Sequence, residues 1–232
     1  MNESLQKIRQ FYNDTYYSNA RSPGGITAHL QSLAQRTGIQ SGQDVLDVAC
    51  GAGEWLIACR ERGARIAGID LSDRAIEICR QSFPDGEFHV TAAESLPFED
   101  NRFDVVTCLG SLEHFIDPLR ALAEMRRVAK PNATIIILVP NADFLTRRLG
   151  LFSGTHQTAA KEDVKTLEEW QQLFNAAGFD VIERWRDLHV LSWSWISLAG
   201  LRAVPLRAMQ ALALACWPLR WQYQVYHKLR IR

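Results

Sequence analysis

Asp47, Gly51 and Gly53 follow the apolar pair Val45-Leu46 and precede Glu54-Trp55-Leu56, so an acid and two alternate glycines stand between a strand and a helix start. That arrangement cradles a nucleotide cofactor: without Cβ atoms the backbone approaches a ligand closely, and the first amides of a helix have no partners of their own. A dinucleotide fingerprint G-x-G-x-x-G would place a third glycine where this chain has Leu56, and it asks for no acid at Asp47. An acid under the cradle points instead to a ligand with positive charge. His114 is the first candidate for a general base, because it follows an apolar run at the end of which an open parallel sheet has its ligand crevice. Its imidazole, with an ordinary pKa of about 6.5, suits taking a proton from a hydroxyl. The bland alternative is that His114 packs and fixes the loop after Ser111, with Glu113 as its neighbour. His156 is a candidate substrate contact, or else an exposed polar residue of a loop. No spacing of His or Cys suggests a metal.

The elements that must position these residues alternate. Short apolar runs at Val45 to Val48, Ile66 to Ile69, Val105 to Leu109 and Thr134 to Val139 are separated by amphipathic segments of helix length, which implies a doubly wound parallel sheet. Two short helices, 4–12 and 25–36, flank the turn Ser22-Pro23-Gly24-Gly25 ahead of the sheet. From Pro118 to Ala129 the spacing predicts a helix capped by Asp117, with Leu122, Met125 and Val128 on its inner face. Residues 141–166 lack periodicity and read as an active-site loop. Thr166 to Phe179 reads as a capped helix closed by Gly178, and Asp180 to Arg186 as a strand. Residues 187–221 are unusual: after Asp187 they hold no acid, four tryptophans and only Arg202, Arg207 and Arg220 as formal charges. They read as a helical insertion, either a cap buried on the domain, a dimer contact, or a lid or membrane-surface element. No stretch there reaches the roughly 20 apolar residues needed to cross a bilayer. The run from Trp221 to Arg230 alternates and is expected to return to the sheet edge as the last strand.

Taken in order, these segments resemble the class I S-adenosylmethionine-dependent methyltransferases over roughly residues 40–185. Val45 to Trp55 resembles their motif I, and Arg65 to Ser72 their second strand, ending in an acid. Phe88 to Phe98, Phe103 to Phe115 and Leu122 to Pro140 resemble the third, fourth and fifth strands with their following segments. The resemblance implies an α/β, Rossmann-like, doubly wound and mostly parallel seven-stranded sheet with helices on both faces, to which the residues add the helical insertion before the last strand. It implies S-adenosyl-L-methionine as methyl donor and no metal. It also implies roles: Asp47 and amides near Ala49, Gly51 and Gly53 for the amino-acid end, Asp70 for the ribose hydroxyls, and Leu71 and Leu109 for the adenine faces. Amides of Ala93 and Glu94 would read the adenine edge. Two departures stand out. Ala49 replaces the usual first glycine, which is expected to change little because alanine is nearly as small; Ala92 replaces a common aspartate, with Glu94 the nearest substitute.

Lys+Arg and Asp+Glu both number 26 in the 232 residues, so no basic field points to nucleic acid. Five cysteines without a C-x-x-C pair read as small core residues in a reducing compartment, and the N-terminus lacks the pattern of a signal peptide. The expected location is cytoplasmic, with peripheral contact at the inner face of the membrane through 187–221 open. One domain is expected: a helical cap at 1–40, a cofactor-binding core at 41–140, a substrate-side loop, helix and strand at 141–186, the insertion at 187–221 and a last strand at 222–232. The leading expectation is methyl transfer to a small or medium-sized metabolite through an oxygen or nitrogen nucleophile, with a lipid- or glycan-linked acceptor as a variant. The alternative is a non-catalytic S-adenosylmethionine-binding module that serves a partner or a membrane surface. A nicotinamide dehydrogenase is disfavoured by Leu56.

Overall fold

The computed structural model describes residues 3–18, 20, 22–23, 25–150, 162–197 and 200–232. Helix α1 (Glu3–Phe11) continues through one π-helical turn at Tyr12–Tyr16. In α2 (Ala28–Thr37), Thr27 Oγ1 accepts from the Leu30 amide at 3.2 Å and Gly38 ends the helix at φ 76°. Capping of this kind satisfies amides and carbonyls that a helix end leaves without partners. The chain then alternates: β1 (Asp44–Val48), α3 (Glu54–Glu61), β2 (Arg65–Asp70), α4 (Asp73–Ser82), β3 (Glu87–Val90), β4 (Phe103–Leu109), α5 (Pro118–Val128) and β5 (Ala129–Pro140). Short α6 (Leu145–Arg148) follows, then α7 (Leu167–Ala176), β6 (Phe179–Arg186), α8 (Trp193–Ser197), α9 (Val204–Cys216) and β7 (Gln224–Ile231).

The seven strands lie in the order β3-β2-β1-β4-β5-β7-β6. Strands β3 to β5 in that order pair in parallel, while β7 runs antiparallel to both of its neighbours. This is the expected doubly wound sheet, with one correction. The last strand does not return to the sheet edge; it enters between β5 and β6, leaving β6 at the edge. The physical reason is two-sided burial: consecutive Val225, Tyr226 and His227 are all buried, which only an interior strand permits, whereas β6 exposes Ile182. His227 reads as polar in the sequence but sits in the core, where burial pushes its pKa down to about 3. Its neutral ring is placed with Nδ1 3.1 Å from the Val225 carbonyl.

Each sheet face carries its own core. On one, Leu46, Ile135 and Ile137 pack with Leu122 and Met125 of α5 and with Trp170 and Phe174 of α7. On the other, Val45, Ile66 and Ile136 meet Leu33 of α2, Trp55 and Leu56 of α3 and Ile76 of α4. Burial of each such side chain stabilises by roughly 1.5–3 kcal/mol. Trp170 also donates from Nε1 to the Pro140 carbonyl at 2.8 Å, so α7 is fixed in angle as well as in depth. Its start has a complete capping box between Thr166 and Glu169.

Helices α8 and α9 form most of the insertion. Its root is held by Asp187: His29 Nε2 of α2 lies 3.2 Å from Oδ1 and 3.0 Å from the Tyr226 hydroxyl, and His189 Nδ1 lies 2.5 Å from Oδ2. Burial lowers the His29 pKa, and the Asp187 hydrogen bond raises that of His189. Four cysteines are buried as expected, but Cys216 on α9 is exposed.

Candidate functional site

At the carboxyl ends of β1, β2 and β4 lies a cavity of about 360 Å³, a size typical of a small-molecule site. Its floor begins with Asp47 on β1, whose Oδ1 accepts from Thr107 Oγ1 at 2.6 Å. Burial pushes the Asp47 pKa up to about 7, against the smaller opposing effect of that hydrogen bond. Beyond Val48 the backbone turns sharply, with positive φ at Ala49 (62°), Gly51 (54°) and Gly53 (88°). The Cys50 amide donates to Ile69 O at 2.9 Å and the Gly53 amide to Cys50 O at 3.0 Å, which locks the turn.

The expectation for Ala49 needs correction. What the position demands is the sign of φ, and size is secondary; a Cβ in the left-handed region costs roughly 1–2 kcal/mol. Strain of this kind persists where the surroundings over-determine the backbone. Gly51 lacks a Cβ for another reason as well, since one would lie 2.6 Å from the Tyr17 hydroxyl oxygen. Gly53 does not line the cavity. It precedes α3, and a Cβ there would lie 2.7 Å from Phe83 Cε2, so it serves the packing of α3 on α4.

Asp70 closes β2 at the cavity wall. Its Oδ2 accepts from the Gly51 amide at 2.9 Å and its Oδ1 from the Ser72 amide at 2.8 Å. Burial raises its pKa, while these amides hold the other way. Leu71, Ala93, Glu94 and Leu109 also line the cavity, as expected. The Glu94 carboxylate is engaged: Oε1 accepts from the amides of Ile116 and Asp117, both at 3.1 Å, tying the loop after β3 to the turn before α5. His114 reaches the cavity from a 3-10 turn at Leu112–His114, with Nε2 4.0 Å from Glu113 Oε1. Burial pushes the Glu113 pKa up to about 8, and its Oε2 has no hydrogen-bond partner among the described residues. His156 lies outside the described residues. Among the described residues no group of three His, Cys, Asp or Glu side chains could hold a metal ion.

The cavity has a roof that sequence reading passed over. Leu5, Ile8, Tyr12 and Tyr16 line it from α1 and the π-helical turn, and Tyr17 joins them. A signal was present: positions 5, 8, 12 and 16 fall at helical spacing on one face. The roof is pinned beside Asp70, because Asn13 Oδ1 accepts from Ser72 Oγ at 2.7 Å and Arg9 Nε donates to Asp73 Oδ2 at 2.7 Å. Trp55 is buried, but its Nε1 lacks a partner among the described residues and the ring lines the cavity. Buried carboxylates below and apolar walls suit a ligand with a cationic end, hydroxyls and a flat ring.

Comparison with known proteins agrees with that chemistry. A family model described as a methyltransferase domain matches residues 20–184. A ubiquinone biosynthesis O-methyltransferase of Alkalilimnicola ehrlichii is 32% identical over 68% of this chain and 66% of its own length. A demethylmenaquinone methyltransferase of Clavibacter sepedonicus is 30% identical over 74% of this chain and 70% of its own length. The chain thus spans about two thirds of the length of these relatives. Among solved structures, the geranyl diphosphate C-methyltransferase of Streptomyces coelicolor A3(2) shares the fold at a TM-score of 0.68, with 12% identity, 100% of this chain and 99% of that one covered. The cradle of β1, the acid at the end of β2 and the family match over most of the chain converge, and this protein belongs to the class I S-adenosylmethionine-dependent methyltransferases.

Proposed function

We propose that this chain transfers a methyl group from S-adenosylmethionine to a small or medium-sized acceptor through an oxygen or nitrogen nucleophile, with an aromatic, quinone-type molecule as the favoured class. The observation that carries the donor half is Asp70, held rigid between two amides at the wall of a cavity that also presents Asp47 and the turn at Ala49 and Gly51. The acceptor class is supported by the two curated relatives, whose names place them in ubiquinone and menaquinone chemistry.

The bound donor supplies a methyl group already activated by a sulfonium. The residues of the chain then bind, align and exclude water. In this reading Asp47 and the amides at the turn hold the amino-acid end, Asp70 accepts from the ribose hydroxyls, Leu71 and Leu109 flank the adenine, and Ala93 and Glu94 present amides to its edge. Tyr12, Tyr16 and Tyr17 close over the site, and apolar Leu5 and Ile8 keep water from the reacting carbon. Alignment of two reactants in this way is worth about 7–11 kcal/mol. His114 takes the acceptor proton, with the buried Glu113 carboxyl 4.0 Å from its Nε2.

The test is incubation of methyl-labelled S-adenosylmethionine with the protein and either a prenylated catechol or a polar phenol, with Asp70→Ala as control. Label on the catechol, lost in the variant, is the expected result. Donor binding without label on any acceptor would overturn catalysis and leave a binding module. His114→Ala should slow turnover while donor affinity holds; an unchanged rate returns His114 to packing.

A further inference from the structure

We infer that the outer face of the 187–221 insertion docks on the surface of an anionic lipid bilayer. In a helix that caps a core, apolar residues turn inward. Helix α9 is apolar on its inner side, at Val204, Ala208, Ala211 and Leu214, and carries large apolar residues on its outer side as well. Pro205, Leu206, Met209, Leu212, Ala213 and Cys216 stand on one broad side at helical spacing and all are exposed, while Ala211, opposite them, is buried. Leu206, Met209 and Leu212 are 65%, 63% and 64% exposed, and Leu201 and Trp193 in the neighbouring segments reach 78% and 64%. Single exposed apolar residues are ordinary, but a contiguous apolar side marks an interaction surface.

Charge selects the occupant. No Asp or Glu occurs from 188 to 232, and Arg202, Arg207 and Arg220 are the formal charges of the insertion beyond Asp187 at its root. Arg202 and Arg220 are exposed. A second copy meeting this face about a two-fold axis would set arginines near arginines with no carboxylate from the same segment between them. Anionic headgroups supply the missing charge, and apolar side chains beside arginine and tryptophan are what an interfacial helix presents to a bilayer. Two arginines also lie over indole rings: the Arg207 guanidinium is 3.9 Å from the Trp195 ring centroid and that of Arg220 is 4.9 Å from Trp221. Arg207 Nε further donates to the Trp195 carbonyl at 2.9 Å, so α8 and α9 present a joined surface.

The mode is attachment in the plane of the interface, because no described helix is long and apolar enough to cross a membrane. Asp187 fastens the root of the insertion to α2 and β7, so a surface held at α9 is held to the catalytic sheet as well. The docking stands whichever acceptor is methylated.

The test is co-sedimentation of the full chain with vesicles of phosphatidylcholine alone and of phosphatidylcholine with phosphatidylglycerol, with donor affinity measured alongside. The expected result is binding to the anionic vesicles, weakened by salt. Leu206→Glu combined with Met209→Glu and Leu212→Glu should lower that binding tenfold or more, on the order of the apolar burial lost, with donor affinity unchanged. Arg202→Ala should lower it about fivefold, the worth of one surface charge. Absence of the wild-type protein from the vesicle pellet, or equal binding by the triple variant, would overturn the proposal. So would a concentration-dependent dimer in sedimentation velocity that the triple variant abolishes, which would assign the face to a second copy.

Discussion

The turn after β1 and the helix α9 are both written in small and apolar residues, and they treat those residues in opposite ways. At the turn, Val45, Leu46 and Val48 are buried, Leu56 and Cys59 follow them into the core, and the polar groups that remain, Asp47 and Asp70, are enclosed with partners. On α9 Leu206 and Leu212 face outward and Arg207 lies along Trp195. The first region is closed, strained at Ala49 and wrapped around a cavity. The second is finished internally by its own contacts and open on its outer side. Composition alone does not distinguish them; what differs is whether a neighbouring element covers the apolar side.

The contrast can be broken most directly through stability. Leu56→Ala should destabilise the protein by about 2–5 kcal/mol, the usual cost of emptying a core site, whereas Leu206→Ser should change it by less than about 0.5 kcal/mol, as at other surface positions. Denaturant titration of the two variants measures both. Equal losses would mean that α9 is part of the core.

Asp70→Ala should weaken donor binding by about 1.5–3 kcal/mol, the worth of hydrogen bonds to a charged group, since the ribose loses its acceptor and two amides lose theirs. Calorimetric titration with S-adenosylhomocysteine reads this directly. An unchanged affinity would remove Asp70 from the donor site.

The pH dependence sharpens the comparison further. Asp47, pushed up to about 7 by burial, holds its proton in the folded protein between about pH 4 and 7, whereas the unfolded chain releases it near the ordinary value of about 3.9. The folded form therefore binds more protons in that window, and the stability of the ligand-free protein falls as pH rises through it. A cationic donor end reverses the balance by favouring the carboxylate. Donor affinity should thus rise between about pH 6 and 8, with a slope that Asp47→Asn removes. Vesicle binding through α9 should show no such dependence on Asp47. The smallest expected effect is at Ala49: Ala49→Gly should relieve the left-handed Cβ and stabilise by about 1 kcal/mol, read as a rise in Tm. A fall in Tm would show that the turn tolerates alanine without strain.

Much of this molecule was legible in the residues. The apolar runs at Val45, Ile66, Val105 and Thr134 each became a parallel strand, because a run buried on both faces leaves no polar alternation to mislead the reading. The caps at Asp117 and Thr166 and the glycine closing α7 also fell where their chemistry required. Within the candidate site, nine expected residues came to one cavity, since each lies at or just beyond the carboxyl end of a strand whose position the topology fixes. Gly53 did not, because a positive φ and a close neighbour look the same in a sequence whether the neighbour is a ligand or Phe83. The tyrosine roof was missed for a different reason: α1 touches no strand in sequence, and nothing local says which cavity its apolar side will cover.

What the sequence determined by itself is the order of strands and helices, the acid and glycine pattern of the cradle, and the absence of acids in the last forty or so residues, since all of these are properties of neighbours along the chain. Tertiary structure alone decided that β7 enters between β5 and β6, that Ala49 is held at positive φ, that Tyr12 and Tyr17 line the same cavity as Asp70 and that α9 turns Leu206 and Leu212 outward. Each of these depends on which distant surface is left uncovered once the two cores have formed, and burial is decided by packing partners far apart in the chain.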